Sequence, residues 1–294
     1  MLYWLCFCNF IFMKKLIFFL SLFTIASLSA FAQSSAGRAG ARTPPPLPPK
    51  PFDATIYEGK YDKAVYFNPA TGDSLRYRIL YPKNYTPAIA YPLIVFLHGS
   101  GERGSDNASQ LKHVGDYFLL DSVQKKYKAI VIFPQCPESD NWSGATNFKA
   151  DVDYSNPPTK SMQDLVALID SFKKQPIVDT SNIVGIGFSM GAFGIMELAH
   201  RSPGSFKRLM PISGGFDPKY SKEFSKTPIW AFHGTKDDIV PLQLSLNMAQ
   251  NIGARIGADF TLSQYPNRSH VIIDDVFKEK EFWMWAFNKF PKKR

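Results

Sequence analysis

The stretch IVGIGFSMGAFGIMELAH, residues 183–200, joins an apolar run to a helix-like pattern through a serine with a glycine two residues away on each side. Residues 182–188 are apolar and rich in Ile and Val, which is typical of a strand buried on both faces. Beyond the serine, apolar residues recur at helical spacing until a Pro-Gly pair at 203–204 ends the pattern. The stretch therefore predicts a buried strand, a sharp turn at Ser189 and a helix.

The turn has the pattern Gly-x-Ser-x-Gly, which predicts strained backbone angles at Ser189. A side chain at Gly187 or Gly191 would collide with the neighbouring helix or strand. The helix that follows directs its free N–H groups towards the serine hydroxyl, where they stabilise developing negative charge. Such a serine is suited to nucleophilic catalysis; the alternative is an ordinary serine in a glycine-rich turn.

The first 52 residues differ in composition from the rest of the chain. Two lysines after Met13, an apolar stretch and the small-x-small ending Ala30–Ala32 predict a signal peptide over residues 1–32, with Met13 as its start. Serine and threonine interrupt the apolar stretch and no basic flank follows it, which disfavours the alternative, a retained membrane anchor. Residues 33–52, with the sequence TPPPLPPKPF at their end, predict a proline-rich linker. We expect a secreted or periplasmic protein, without stable membrane insertion after the signal peptide is removed.

The net charge of +9 gives little reason to expect a nucleic-acid partner. Five of the 34 basic residues lie in residues 1–52, which hold no acidic residue, and three more end the chain. The remainder is near charge balance. Of the three cysteines, Cys6 and Cys8 lie in the predicted signal peptide and Cys136 is alone, so we expect no internal disulfide and no metal-binding cysteine pair. No cofactor or metal ion is implied, and the oligomeric state is left open.

From residue 53 onward, strand-like and helix-like segments alternate without a second linker, which predicts one domain over residues 53–294. The predicted strands are 74–82, 91–99, 127–135, 182–188, 206–213, 227–234 and 260–266. The predicted helices are 110–126, 161–174, 191–201, 241–256 and 274–288. The alternation predicts an α/β fold with a mostly parallel central sheet and helices on both faces. In such sheets, functional groups gather in loops at the carboxyl ends of the strands.

Three loops at predicted strand ends carry the reactive residue types. They are HGSGERG at 98–104, GFSMG at 187–191 and HGTKDDIVP at 233–241, and His270 follows them. Together with FPQCP at 133–137 and PISGG at 211–215, they resemble the α/β-hydrolase superfamily. Within it, the chain is similar to a secreted carboxylesterase-like group, also described as predicted peptidases or phospholipase/carboxylesterases, that is related to feruloyl and acetyl-xylan esterases.

The resemblance extends from about Tyr77 to Phe287. It implies an α/β-hydrolase fold without a large cap domain and a serine carboxylic-ester hydrolase activity. It also implies a catalytic triad of Ser189, Asp237 and His270, in the chain order that α/β-hydrolases use. The alternatives are a serine peptidase of the same fold and a non-catalytic binding protein on a hydrolase scaffold.

Geometry favours His270 as the general base. His200 lies eleven residues after Ser189 on one predicted helix, about 16 Å along its axis, which is too far for a hydrogen bond, and we expect it to be solvated. His270 lies in the polar loop PNRSH before the last helix and can reach back over the sheet. The other histidines are expected to fix turns or to be exposed: His98, His233 and His113.

The acid and the oxyanion hole follow from motif position. Asp237 occupies the His-Gly-x-x-Asp position that the family uses, with Asp238 and Asp217 as rivals. The backbone N–H groups of Met190 and Ser100 are the predicted oxyanion hole. Arg103 is expected to pair with Glu102 and hold the turn, or to meet an acidic group of the substrate.

Two features bear on the substrate. Only the segment at 216–226 separates two predicted strands where a cap is usually inserted, so we expect an open site that suits small-molecule esters or esters linked to a polysaccharide. Trp142, in a long polar loop, is a predicted substrate-binding platform for a sugar or phenolic ring. The alternative is that this ring fastens the loop to the sheet.

Overall fold

An eight-stranded sheet runs through the part of the chain that the computed structural model describes, residues 52–145 and 147–287. Its strands are β1 Asp62–Asn68, β2 Asp73–Leu80, β3 Tyr91–Leu97, β4 Ile130–Gln135, β5 Val178–Phe188, β6 Arg208–Ile212, β7 Ile229–Gly234 and β8 Phe260–Tyr265. Their spatial order is β1-β2-β4-β3-β5-β6-β7-β8. β2 pairs antiparallel with β1 and β4, and the other pairs are parallel. The predicted α/β architecture with a mostly parallel sheet is confirmed.

The central strands are the continuous apolar runs of the sequence. In β3 only Pro92 is not fully buried, and all six residues of β4 are buried. β1, by contrast, is mostly exposed and lies at the edge of the sheet, and it was not predicted. Its sequence, DKAVYFN, contains the short apolar run 64–67, but Val65 and Phe67 are exposed, because one face of this edge strand is left uncovered.

Helices cover both faces of the sheet, as predicted. Side chains of α3 Lys160–Lys173, α4 Met190–Arg201 and α5 Leu242–Met248 pack into the core on one face. Side chains of α1 Gly115–Leu119, α2 Asp121–Lys126, α6 Ile273–Lys278 and α7 Lys280–Ala286 pack into the core on the other. Within the described ranges, no helix has the length and hydropathy needed to span a membrane.

Three predicted helices are interrupted. The segment 110–126 is broken at Leu120 (ψ 129°) into α1 and α2, and 274–288 is broken at Glu279 (ψ 127°) into α6 and α7. The segment 241–256 leaves α-helical geometry after Met248 and continues as one π-helical turn. A single extended residue redirects the chain while it leaves the spacing of apolar residues nearly intact, so periodicity alone does not reveal the break.

Two connections shape the end of the sheet where the strands finish. A long loop, residues 136–159, joins β4 to α3, and it starts with the fully buried Cys136. The segment between β6 and β7 is short and contains two 3₁₀ turns, Pro218–Tyr220 and Glu223–Lys226. This described segment contains no inserted domain, so it adds no cap domain above the carboxyl ends of β6 and β7. The predicted signal peptide, residues 1–32, and the linker up to residue 51 lie outside the described residues.

Candidate active site

Ser189 occupies the turn between β5 and α4 in a backbone conformation that side chains rarely adopt. Its φ is 55° and its ψ is −121°, which is outside the regions favoured by L-residues. Its N–H donates to the carbonyl oxygen of Ile212 at 2.9 Å, which ties the turn to β6. The predicted strain at Ser189 is therefore confirmed, and it lifts the hydroxyl off the end of the strand.

The glycines on either side allow two close backbone contacts. A Cβ at Gly187 would lie 2.1 Å from the carbonyl oxygen of Gly191, and a Cβ at Gly191 would lie 2.0 Å from that of Leu97. Both distances are far shorter than any non-bonded contact, so the predicted collisions are confirmed. The contact with Leu97 brings the end of β3, and with it the start of the HGSGERG loop, directly against the Ser189 turn.

Ser189, His270 and Asp237 form one hydrogen-bonded line. The Ser189 hydroxyl donates to Nε2 of His270 at 2.8 Å, and Nδ1–H of His270 donates to Oδ2 of Asp237 at 2.8 Å. A serine in this arrangement can lose its proton to the imidazole as it attacks a carbonyl carbon, while the carboxylate fixes the tautomer of the imidazole and stabilises its charged form. The three residues predicted as a triad are thus brought together from three separate loops.

Backbone contacts hold the loop that carries His270. A Cβ at Gly234, the last residue of β7, would lie 2.2 Å from the carbonyl oxygen of Ser269, so only a glycine permits this approach. The N–H of Lys236 donates to the carbonyl oxygen of Arg268 at 2.9 Å. The hydroxyl of Ser213, which is buried and has a φ of 53°, donates to the carbonyl oxygen of His270 at 3.1 Å. These contacts anchor both sides of the imidazole to the sheet.

Asp237 receives four hydrogen bonds. Oδ1 accepts from the N–H groups of Ile239 at 3.0 Å and Val240 at 2.8 Å. Oδ2 accepts from His270 and lies 3.2 Å from Nε2 of the buried His233. Burial alone would raise the pKa of Asp237, but the hydrogen bonds from His233 and His270 outweigh it and hold this pKa well below the usual aspartate range. The carboxylate therefore stays ionised beside the imidazole.

The rival acids point elsewhere. Asp238 accepts a hydrogen bond from the hydroxyl of Ser269 at 2.8 Å, and Asp217 accepts from the N–H groups of Tyr154 and Lys219. Of the three aspartates, only Asp237 is hydrogen-bonded to His270.

His200 is not the solvated residue that was predicted. Its Nδ1 lies 2.7 Å from a carboxylate oxygen of Glu223, and its ring packs against those of Tyr154 and Tyr220. That expectation was wrong because the loop between β4 and α3 folds back over the end of α4. His200 is still too far from Ser189 for a hydrogen bond, since it lies at the opposite end of α4.

The predicted oxyanion donors border the Ser189 turn. Met190 is the first residue of α4, so its N–H has no acceptor within the helix. Ser100 opens a short 3₁₀ helix, Ser100–Glu102, and Gly99 before it lies against Phe188, where an added Cβ would be 3.3 Å from the ring. Both N–H groups therefore belong to segments in contact with the turn, and their role as an oxyanion hole stays a prediction.

His98 and Arg103 hold the HGSGERG loop. Nδ1–H of His98 donates to the carbonyl oxygen of Gly99 at 2.7 Å, and its Nε2 accepts from the N–H of Cys136 at 3.0 Å. Burial lowers the pKa of His98 to about 4, so this histidine is neutral near pH 7. Arg103 donates to the main-chain oxygens of Ser100, Glu138 and Asp140. The loop-fixing role predicted for His98 is confirmed.

The ion pair expected between Glu102 and Arg103 is absent, because Glu102 turns inward. Its Oε1 lies 3.1 Å from Nε2 of His113, and the His113 ring packs on Phe188 with the ring centroids 5.9 Å apart. His113 was expected to be exposed in a polar helix, yet it links the HGSGERG loop to the floor of the site. No local signal in the sequence marks this contact, because eleven residues separate the two side chains.

Trp142 requires a correction. Its side chain is 0% exposed, it meets His98 edge to face with the centroids 5.4 Å apart, and a Cβ at Gly194 would lie 2.4 Å from the Trp142 Cβ. No substrate ring can stack on a face that is fully covered. Trp142 instead fastens the long loop to α4 and to the HGSGERG loop, which was the alternative reading of its position.

In the described ranges, no group of three or more His, Cys, Asp or Glu residues is arranged to hold a metal ion.

Three features define an α/β-hydrolase. They are the order of the strands in the sheet, the strained serine between β5 and α4, and the acid and histidine on the loops after β7 and β8. Within this class, the model of the phospholipase/carboxylesterase family matches residues 88–282. The chain belongs to that family.

Similar proteins include enzymes of two kinds. The chain is 30% identical over 193 residues to a bifunctional acetylxylan esterase/xylanase of Neocallimastix patriciarum, covering 64% of this chain and 26% of that protein. It is 23% identical over 152 residues to dipeptidyl-peptidase 5 of Porphyromonas endodontalis, covering 52% of this chain and 21% of that protein. The chain thus spans about a quarter or less of the length of these two relatives.

Among solved structures, a thermostable esterase superposes with a TM-score of 0.72 at 27% sequence identity. The match covers 79% of this chain and 64% of that one. The family match and this structure both support the α/β-hydrolase fold of the chain.

Proposed function

We propose that this chain is a secreted or periplasmic serine carboxylesterase that removes acyl groups, such as acetyl or feruloyl groups, from carbohydrate. The observation that carries the proposal is the hydrogen-bonded line from Ser189 through His270 to Asp237, with 2.8 Å at both steps. The acetylxylan activity named for one relative supports a carbohydrate-linked ester, and so does the lack of a cap domain in the described segment between β6 and β7. The secretory part of the proposal rests on the sequence of residues 1–32 alone.

The mechanism has two halves. His270 takes the proton of the Ser189 hydroxyl as its oxygen attacks the acyl carbon, and the backbone N–H groups of Met190 and Ser100 stabilise the resulting oxyanion. His270 then gives that proton to the oxygen of the alcohol, which leaves, and the acyl group stays on Ser189. A water molecule, deprotonated by His270, attacks the acyl carbon of the acyl-enzyme. The bond from that carbon to the Ser189 oxygen then breaks, His270 returns the proton to this oxygen, and the acid is released. Asp237 stabilises the imidazolium formed in each half.

A second candidate within the same chemistry is a serine peptidase, which the similarity to dipeptidyl-peptidase 5 favours. The two are separated by comparing turnover of 4-nitrophenyl acetate and feruloyl esters with turnover of dipeptide 4-nitroanilides. Ester turnover that exceeds anilide turnover supports the esterase. Faster anilide turnover would assign the chain to the peptidases, and no turnover of any of them would favour a binding protein on a hydrolase scaffold.

The test of the nucleophile is Ser189→Ala. We expect kcat for 4-nitrophenyl acetate to fall roughly 10⁴- to 10⁶-fold, as removal of a triad member does, with the circular dichroism spectrum unchanged. Ser155→Ala, at an exposed serine outside the site, is the matched control and should keep full activity. An active Ser189→Ala variant would refute the assignment.

A further inference from the structure

A buried carboxylate lies in the loop that carries one of the two predicted oxyanion donors. Glu102 ends the 3₁₀ turn that Ser100 begins, and it is only 4% exposed. Burial alone would raise the pKa of Glu102, but interactions led by the hydrogen bond from His113 outweigh it and lower this pKa, so the carboxylate is ionised near pH 7. A buried charge is costly unless it is paired, and the mechanism above gives this one no part.

The side chain of Glu102 links two segments of the chain. Its Oε1 accepts from Nε2–H of His113, in the turn before α1, at 3.1 Å. Its Oε2 lies against Gly99, where an added Cβ would be 3.1 Å away. The main chain of Glu102 is fixed as well, since its N–H donates to the carbonyl oxygen of Gly99 and its carbonyl oxygen accepts from Nε2 of Gln135, both at 3.3 Å. Glu102 therefore ties the loop at 99–102 to the turn before α1.

The ring of Phe188 extends this contact to the triad. Phe188 is the last residue of β5 and is 4% exposed. Its ring centroid lies 5.9 Å from that of His113 and 5.1 Å from that of His270. An added Cβ at Gly99 would lie 3.3 Å from the same ring. A displacement of His113 therefore changes the packing both at the start of the HGSGERG loop and at the catalytic imidazole.

The two predicted oxyanion donors differ in what holds them. The N–H of Met190 belongs to α4, a helix of twelve residues, whereas that of Ser100 belongs to a loop. Oxyanion donors act at about 2.7–3.1 Å from the oxygen, so the position of this loop decides whether Ser100 contributes. The negative charge of Glu102 would also oppose an oxyanion nearby. A hydrogen bond from His113 meets both requirements, because it fixes the loop and disperses part of the charge.

We propose that Glu102 and His113 form a positioning pair, whose hydrogen bond holds the N–H of Ser100 where it can stabilise the oxyanion together with the N–H of Met190. The pair acts through the loop at 99–102 and through Phe188, without touching the substrate. The inference rests on the proposed function, and it adds two residues to those that determine the rate of that reaction.

A second histidine–glutamate pair provides a matched control. Nδ1 of His200 lies 2.7 Å from Oε2 of Glu223, and the His200 side chain is also mostly buried. This pair lies at the end of α4 farther from Ser189. Loss of a histidine–carboxylate contact as such affects both pairs equally, whereas loss of the position of an oxyanion donor follows only from the pair at Glu102.

The experiment compares three variants of the full chain: His113→Leu, His113→Gln and His200→Leu. We expect His113→Leu to lower kcat for 4-nitrophenyl acetate about thirtyfold, which is part of the roughly 10²- to 10³-fold loss that follows removal of a whole oxyanion donor. KM should stay within about twofold, because these donors act on the transition state rather than on the bound ester. His113→Gln, whose amide N–H can reach the carboxylate, should regain most of kcat, and His200→Leu should keep it.

A double variant removes the objection that His113→Leu leaves a buried carboxylate without its donor. Glu102→Ala with His113→Leu leaves no unpaired charge, and its kcat should be as low as that of His113→Leu, because both residues act through one contact. The affinity for a trifluoromethyl ketone, which forms an oxyanion adduct on a serine, should fall by about the same factor as kcat. An unchanged kcat in either variant, a loss confined to KM, or an equal loss in His200→Leu would overturn the positioning pair.

Hydrogen exchange separates this proposal from the proposed function, because it does not depend on turnover. We expect the amides of residues 99–104 to exchange about tenfold faster in His113→Leu than in the wild-type protein, and at the wild-type rate in His200→Leu. An active wild-type esterase whose loop exchanges at one rate in all three proteins would refute the positioning pair alone. A wild-type protein without esterase activity, but with faster exchange in His113→Leu, would refute the esterase while supporting the hold of the pair on the loop.

Discussion

At the scale of single residues, the sequence predicted only part of the role of His233 in the site. It was expected to fix a loop, and its Nδ1 indeed lies 2.7 Å from the hydroxyl of Ser245. Its Nε2 faces two acceptors, the carbonyl oxygen of Val240 at 2.9 Å and Oδ2 of Asp237 at 3.2 Å. This nitrogen therefore carries the proton, and a second histidine donates to the carboxylate that orients His270.

Substitution of His233 tests this positioning role. His233→Leu removes the donor, so the negative charge of Asp237 is less neutralised and holds the proton of His270 more tightly. We expect kcat to fall about tenfold and the acid limb of the pH–rate profile to move about half a pH unit upward. His233→Gln, which can place an amide N–H at the same point, should restore much of both. A purely structural role would lower stability and leave the pH profile where it is.

At the scale of elements, a feature of the fold could be predicted from the sequence when the residues that cause it lie close together in the chain. The turn at Ser189 could be predicted because five consecutive residues decide it, and the contact between Gly187 and Gly191 lies within the same five. The breaks at Leu120 and Glu279 could not, since one extended residue preserves the apolar pattern on both sides. The burial of Trp142 depends on a contact with Gly194, about fifty residues away, and no rule of residue spacing predicts such a contact.

The close packing of β3, β5 and α4 makes a sharp prediction. Gly191→Ala places a methyl group against main-chain atoms that cannot rotate away, so we expect the free energy of unfolding to fall by about 3 kcal/mol or more. Gly101→Ala, in the neighbouring loop where an added Cβ meets nothing within 4 Å, is the control and should change stability little. Urea denaturation of both variants measures the difference in their free energies of unfolding. Equal stabilities would mean that the β5–α4 turn is looser than its geometry indicates.

At the scale of the whole molecule, the sequence predicted the class of fold better than the order of the strands and the contacts between the loops. The alternation of apolar runs and helical patterns was enough for a mostly parallel sheet with helices on both faces. The order of the strands was not predicted, and β1 was missed. Among the links that no motif predicts is the one from His98, at the end of β3, to the N–H of Cys136, just beyond β4.

The burial of His98 makes global stability depend on pH. Burial lowers the pKa of His98 to about 4, whereas a histidine in an unfolded chain titrates near 6.5. Between these values the unfolded chain binds a proton that the folded protein does not, so stability is lost as the pH falls from about 6.5 to about 4. The loss from this group is about 3 kcal/mol.

Urea denaturation between pH 7.5 and pH 4.5 measures this dependence. His98→Gln keeps a polar side chain but removes the titration, so its stability should fall less steeply with pH than that of the wild-type protein. Parallel curves for the two proteins would show that other groups account for the whole effect.

The position of Cys136 has a further consequence. Its side chain is 0% exposed, and burial raises the pKa of its thiol to about 12. It is the one cysteine within the described ranges, so this part of the folded chain presents no thiolate to oxidants or to another copy. We therefore expect the redox potential of the surroundings to change no covalent bond in this part of the folded chain. Its activity should be the same in the presence of reduced or oxidised glutathione.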